Sequence, residues 1–239
     1  MIRLREVDFS YEPAQAILGN VSLEIGPGLT LLVGPNGSGK STLLKILAGI
    51  ERPDRGSVEI EGYELWKDEV TARRNLAYMP EHPDLTPYAT IRDVICLVCR
   101  LRSVPLDAGI DALTRAGLAG LADRSIRELS MGQRRRAVLA AVWVGAPKVV
   151  LLDEPLETMD RTIRQDIVSW VDGLLRTGGT VVIATHQIEP FVEKAARAIA
   201  VCDAAWKVVE PLPADQLDRM AVLESLSRTG DRAASQYGV

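Results

Sequence analysis

The chain reads as an α/β fold on a mainly parallel sheet, with an antiparallel β-subdomain and an inserted α-helical lobe. Three stretches predict it. An apolar run, Leu29 to Val33, leads through a glycine-rich turn, Gly34 to Thr42, into the helical pattern STLLKILAGI. A second run, Val149 to Leu152, ends in two adjacent carboxylates, Asp153 and Glu154. A third, TVVIATH, ends at His186. Buried aliphatic strands that each deliver polar groups at the carboxyl end mark the edge of a parallel sheet where ligands bind.

The 239 residues, 47% hydrophobic and 25% charged, suffice for one globular α/β domain with an inserted lobe. A formal net charge of −4 gives no pointer to nucleic acid. Three cysteines, Cys96, Cys99 and Cys202, are too few for a disulfide framework and suit a reducing compartment. Met1 to Ser10 is charged and strand-like, unlike a secretory leader. The most apolar region, Ala137 to Leu152, is broken by Pro147 and Lys148, so it reads as helix end, turn and strand, not as a membrane span.

In chain order, IRLREVDFSY alternates as a half-buried strand and ends at Tyr11, before a turn at Glu12-Pro13. Tyr11 is either a ring placed to stack on adenine or an ordinary edge tyrosine, and its position alone does not decide. VSLEIG is a second strand, and Gly26-Pro27-Gly28 breaks the chain before the apolar run at Leu29. The next stretch, Gly34-Pro35-Asn36-Gly37-Ser38-Gly39-Lys40-Ser41-Thr42, fits G-x-x-x-x-G-K-[ST], the P-loop. Its glycines let backbone N–H groups converge on phosphates, and the new helix points its positive end at them. Lys40 can reach the β- and γ-phosphates, and the Ser41 hydroxyl can complete the shell of Mg²⁺.

Beyond the P-loop helix, SVEIEGY is an alternating strand of the antiparallel region, and Leu76 to Met79 is another strand, ending at Pro80-Glu81. IRDVICLVCRLR is helical, Pro105 breaks it, and LDAGIDALTRAGLAGL is a second helical stretch. Cys96 and Cys99 form C-x-x-C, but on one face of an apolar helix without a second ligand pair they read as core cysteines. His82 beside Glu81 reads as a loop histidine. Leu129-Ser130-Met131-Gly132-Gln133 is a polar turn opening an apolar helix, a second place where N–H groups and a hydroxyl face an anion. The basic run Arg134 to Arg136 reads as a solvated face or as local salt bridges.

Asp153 at its strand end can hold Mg²⁺, and the adjacent Glu154 can accept a proton from an attacking water. His186 can donate to a γ-phosphate. An amphipathic helix, DRTIRQDIVSWVDGLLRTGG, separates these two strands. A helix from Pro190 to Arg197, an apolar strand AIAVC, and a polar tail with a helix over Asp215 to Ser227 complete the expectation. That tail is too short for a ligand-sensing domain.

Taken together, these motifs resemble those of ATP-binding subunits of ABC transporters, from Ile2 to about Trp206 and in that family's order. Tyr11 matches the aromatic A-loop, Gly34 to Thr42 Walker A, Leu129 to Gln133 the LSGGQ signature, Val149 to Glu154 Walker B, Asp160 the D-loop and His186 the switch histidine. The resemblance implies a P-loop NTPase core over 1–80 and 129–208, a helical lobe over 81–128 and a short tail over 209–239. It implies ATP and Mg²⁺, with Ser41, Asp153 and Glu81 near the metal. It implies two subunits paired head to tail, so that Ser130, Gly132, Gln133 and Asp160 complete the partner's site, in a homodimer or with a sister ATPase. It also implies a separate transmembrane permease subunit and a peripheral place on the cytoplasmic face of the membrane, with no nucleic acid involved. A soluble relative, of the iron–sulfur assembly type, is the alternative.

Three positions depart from the pattern. Glu81 replaces the Q-loop glutamine, as in a subset of the family that includes many exporters, which favours export. Met131 stands for the first signature glycine, and Met159 for the leucine before Asp160.

Overall fold

A computed structural model describes residues 1–12, 15–82, 85–202 and 205–229. Pro13 of the expected turn, the Cys202 side chain and residues 230–239 of the tail lie outside the described residues. The chain opens with strands β1 (Ile2–Glu12) and β2 (Gln15–Ile25), continues into β3 (Gly28–Val33), and passes through the glycine-rich turn into α1 (Lys40–Leu47). Next come β4 (Arg55–Ile60), β5 (Tyr63–Glu64), α2 (Glu69–Arg74) and β6 (Leu76–Met79). Helices α3 (Ile91–Arg102) and α4 (Leu106–Arg115) and two 3-10 turns then lead to α5 (Met131–Trp143). The order closes with β7 (Val149–Asp153), α6 (Arg161–Arg176), β8 (Thr180–Ala184), β9 (Ala195–Cys202), β10 (Ala205–Val209) and α7 (Gln216–Thr229).

Two sheets form. The smaller is antiparallel, in the order β2-β1-β4-β5. The larger runs β10-β9-β3-β8-β7-β6, parallel throughout except for β10. The period-2 alternation of a strand splits the large sheet's side chains between two cores. Leu32, Leu151, Val182 and Ile199 face the core shared with α1 and the small sheet. Leu31, Val150, Leu152, Val181 and Ile183 face the core that also takes in α5, α6 and α7. Residues of α3 and α4, including Ile95, Cys99 and Leu113, belong to this second core, so the lobe packs on the sheet through α5.

Cys99 is buried, and burial pushes its thiol up, in keeping with a core cysteine, whereas Cys96 is only half-buried and lies outside the core. Among the described residues no cluster of three or more potential metal-ligating side chains occurs, and no helix is long and apolar enough to cross a membrane.

The segment after His186 differs from the sequence expectation. The expected helix is a 3-10 turn, Glu189–Lys194, and the strand starts at Ala195. Arg197 therefore lies in β9, where its guanidinium is sequestered. It donates to Glu210 at 3.0 Å, to the Gly26 carbonyl at 3.1 Å and to Thr30 Oγ1 at 3.3 Å. A strand was hidden here because a charge inside an apolar run looks like a helix end until its partners are known. Replacing Arg197 with alanine strands those acceptors, and we expect a loss of about 3 kcal/mol in urea denaturation. A loss below about 0.5 kcal/mol, the level of an ordinary surface change, would contradict a sequestered guanidinium in β9.

Candidate active site

The turn from β3 into α1 is shaped by two glycines. Gly34 has φ +152°, and a Cβ there would stand 2.6 Å from the Val201 carbonyl oxygen. Gly39 has φ +100°, and a Cβ there would stand 2.8 Å from the Ile17 side chain. Helices α3, α5 and α6 carry side-chain caps from Thr90, Ser130 and Asp160, whereas α1 has neither a side-chain cap nor an acid in its first turn. Its orphan N–H groups and positive dipole end are left for an anion. Ser38 Oγ lies buried in the same loop without a protein partner, one more donor for a phosphate oxygen.

Lys40 is buried, and its ammonium donates to the carbonyls of Gly34 and Pro35, both at 2.8 Å. Burial lowers its pKa, while Glu154, Asp153 and Glu81 pull it back up. These groups share a cavity of about 630 Å³, also lined by Tyr11, Asn36, Gly37, Ser41, Thr42 and His186. Tyr11 is half exposed at the rim and packs edge-on against Phe9, with ring centroids 4.9 Å apart.

Parallel register aligns the strand ends. Ala184 of β8 lies opposite Leu32 of β3 on one side and Asp153 of β7 on the other. Asp153 is buried; burial pushes its carboxyl up, and a hydrogen bond from Ser41 pulls it down. Glu154 adopts a left-handed φ of 46°, a conformation that costs a non-glycine residue of order 1–3 kcal/mol and concentrates at functional sites. Its N–H donates to the Ala184 carbonyl at 2.8 Å. Its carboxylate accepts from Thr185 Oγ1 at 3.0 Å and from the His186 N–H at 3.1 Å. The His186 Nε2 stands 3.7 Å away. Burial pushes the Glu154 carboxyl up, against the Thr185 and His186 contacts.

Mg²⁺ suits the donor set. Ser41, Asp153 and Glu81 offer hard oxygens to one cavity, too few for a closed protein cage and matched to an ion shared with phosphates and water.

The remaining predicted residues lie elsewhere. Ser130, Gly132, Gln133 and Asp160 do not line the cavity. Ser130 and Gln133 form a reciprocal capping box, at 3.0 and 3.3 Å. Asp160 caps α6 through the Ile163 N–H at 3.1 Å and pairs with Arg136. Met131 is exposed at the start of α5, and a Cβ on Gly132 would meet open space.

Several lining or supporting residues escaped the sequence reading. Ile17, Glu157 and Gln187 line the cavity, and Thr185 holds Glu154. The largest correction concerns Arg134 to Arg136. Arg136 does make a local ion pair, but Arg135 is only 3% exposed. It donates to the backbone carbonyls of Glu81 and Glu154. A signal existed: Arg135 precedes buried Val138, Leu139 and Val142 at helical spacing, on the apolar face of α5.

A phosphate loop, an acidic strand end and a polar strand end around one cavity define a P-loop nucleotide-binding domain. The model of the ABC transporter family matches residues 18–157. A sulfate/thiosulfate import ATP-binding protein, CysA, of Thermosynechococcus vestitus is 36% identical over 206 residues, 84% of this chain and 61% of that protein. A cytochrome c biogenesis ATP-binding export protein, CcmA, of Aromatoleum aromaticum is 36% identical over 175 residues, 72% of this chain and 82% of that protein. Among solved structures, a dimeric ATP-binding cassette in a post-hydrolysis state bound to ADP and Pi superposes with a TM-score of 0.76. It is 26% identical, over 89% of this chain and 100% of that one. The chain belongs to the ABC transporter family, as an ABC ATPase domain. It spans about three fifths of the length of the sulfate/thiosulfate import protein.

Gly39→Ala forces a strained φ and displaces Ile17, so we expect nucleotide affinity to fall by about tenfold to a hundredfold. Titration with a fluorescent ATP analogue reads this directly, and unchanged affinity would contradict a loop shaped by Gly39.

Proposed function

We propose that this chain is the ATP-hydrolysing subunit of an ABC transporter, closing head to tail on ATP and driving a conformational change in a separate membrane subunit. One observation carries the reading. Lys40, Ser41, Asp153, Glu154 and His186 meet in one cavity, while the Ser130 turn that resembles the signature lies outside it. A second chain bringing its own Ser130 and Gly132 would complete that cavity.

The residue roles follow from the chemistry. Lys40, the α1 amides and the loop N–H groups hold the phosphates and neutralise charge as it builds in transfer. Ser41 and Asp153, with Glu81 beside them, would hold Mg²⁺, which supplies charge neutralisation at the phosphate oxygens. Glu154 accepts the proton of the attacking water, its carboxylate oriented by Thr185 and the His186 amide. His186 donates to the γ-phosphate. Tyr11 stacks on the base. Most of the acceleration is positioning and preset electrostatics.

The lobe supports a docking role. Between α3 and α5 lies an apolar cavity of about 280 Å³, lined by Pro80, Leu85, Val94, Val98 and Val138. It adjoins the segment carrying Glu81, so a cytoplasmic element of a permease seated there would sense the phosphate site. That would place the chain on the cytoplasmic face of a membrane. Glu81 favours export; the relatives' names divide, one set for import and one for export. The soluble iron–sulfur alternative has no observation of its own in its favour.

Glu154→Gln should bind ATP normally, lose about a thousandfold in turnover, and run as a dimer on size exclusion with ATP. Normal turnover in that variant would remove Glu154 from the role of base. Pull-down with the same variant from detergent-solubilised membranes should recover a multispanning protein; recovery of soluble partners alone would favour the non-transport reading. Lys40→Ala should weaken nucleotide binding itself, and unchanged binding would refute the phosphate role.

A further inference from the structure

Arg135 joins two segments that lie far apart in sequence. One arm of its guanidinium donates to the Glu81 carbonyl and the other to the Glu154 carbonyl. The Glu157 carboxylate stands 3.7 Å from the first arm, and Nε has no partner. The side chain is almost wholly buried, and burial lowers its pKa. Its strongest contacts are thus two backbone oxygens, not a carboxylate. A buried cation so partnered is poorly repaid in stability, and an apolar residue continuing the face of Val138 and Leu139 would cost less. What an apolar residue would not supply is a rigid planar fork that holds two acceptors at a fixed spacing.

Each end of this contact belongs to a moving part of the proposed cycle. Glu81 begins the segment between β6 and the lobe. Glu154 follows β7 in a left-handed conformation that needs outside support. Arg135 itself sits one turn into α5, the helix that Ser130 caps.

We infer that Arg135 is a positioning residue whose fork ties the Glu81 segment and the Glu154 strand end to α5. A shift of the Glu81 segment is then passed through α5 to the candidate base. The consequence for catalysis rests on the ATPase reading above; the mechanical tie does not.

The test measures hydrogen exchange on the full chain for wild type, R135Q and R135K, with thermal melting, ATP-analogue affinity and ATP turnover alongside. Losing a charge-assisted bond at each carbonyl should speed exchange by about tenfold together at the paired end of β6 that leads to Glu81 and at the hydrogen-bonded amides of Glu154 and Glu157. Melting should move by only a few degrees, affinity should stay within about twofold, and turnover should fall by about tenfold, the mark of a lost positioning contact. R135K keeps the charge but not the fork, so it should behave like R135Q. Faster exchange in only one segment, faster exchange throughout the chain, or full restoration by lysine would overturn the inference. If R135Q does not fold, R135K alone decides by the same criteria. Absence of turnover in the wild type would fell the ATPase reading and leave the exchange result to decide the tie.

Discussion

The site depends on one constraint, the parallel register of β3, β8 and β7. Leu32, Ala184 and Asp153 stand side by side across three strands, so whatever follows each strand emerges at the same sheet edge. After β3 comes the phosphate loop, after β8 Thr185 and His186, after β7 Glu154. A slip of one residue in any pairing would flip side chains between the two cores and carry its polar terminus away from the others. Packing on the two faces of the sheet therefore fixes the chemistry at its edge.

Within that edge, burial and charge oppose each other. Desolvation pushes Lys40 towards its neutral form and pushes Asp153 and Glu154 the same way. Fixed donors and opposite charge work the other way: Ser41 and Lys40 on Asp153, Thr185 and His186 on Glu154, and three carboxylates on Lys40, while Asp153 pushes Glu154 further towards its neutral form. The site thus sets one lysine cation among acids that repel one another, in a half-enclosed cavity where field strength exceeds that in water. Arg135 and Arg102 extend the pattern outward. Arg102, on α3, lies half-buried against the end of α5, where it donates to the Ala141 and Val142 carbonyls at 3.0 and 3.1 Å, and desolvation lowers its pKa to about 10. One buried and one half-buried guanidinium, near the two ends of α5, thus bind backbone oxygens.

What the sequence disclosed and what it hid divide along physical lines. The phosphate loop, the β7 carboxylates and His186 could be read because each lies in a contiguous motif whose function constrains neighbouring residues. The β7 and β8 strands could be read because aliphatic runs of four residues bounded by polar turns have few other uses, and β6 because its short apolar run stops at Pro80. The spacing of Arg135 from Val138, Leu139 and Val142 pointed inward, but its partners were hidden because the carbonyls of Glu81 and Glu154 come to it only where β6 and β7 end. Arg197 was hidden for the same reason, its partners Gly26, Thr30 and Glu210 being distant or beyond a strand turn. Ile17 and Gln187 joined the cavity only through the way β2 and the β8 exit fold over it. Residues whose role is set by their own peptide were legible; those whose role is set by a second segment were not.

The Ser130 turn stands apart from this cavity. Its side chain accepts the Gln133 N–H in the capping box, which occupies an oxygen lone pair and leaves the hydroxyl proton free to donate. The turn therefore keeps both its cap and a donor, so it can serve an anion from outside without loosening α5. Met131 beside it presents an apolar side chain where the resembling motif has glycine. In a head-to-tail pair that side chain would be covered, and burying a methionine contributes roughly 1.5–3 kcal/mol relative to leaving it exposed. Under the head-to-tail arrangement proposed above, Met131 would therefore add apolar closure energy beside Ser130 and the Gly132 amide, and part of the work of closing the pair would fall to the protein surface.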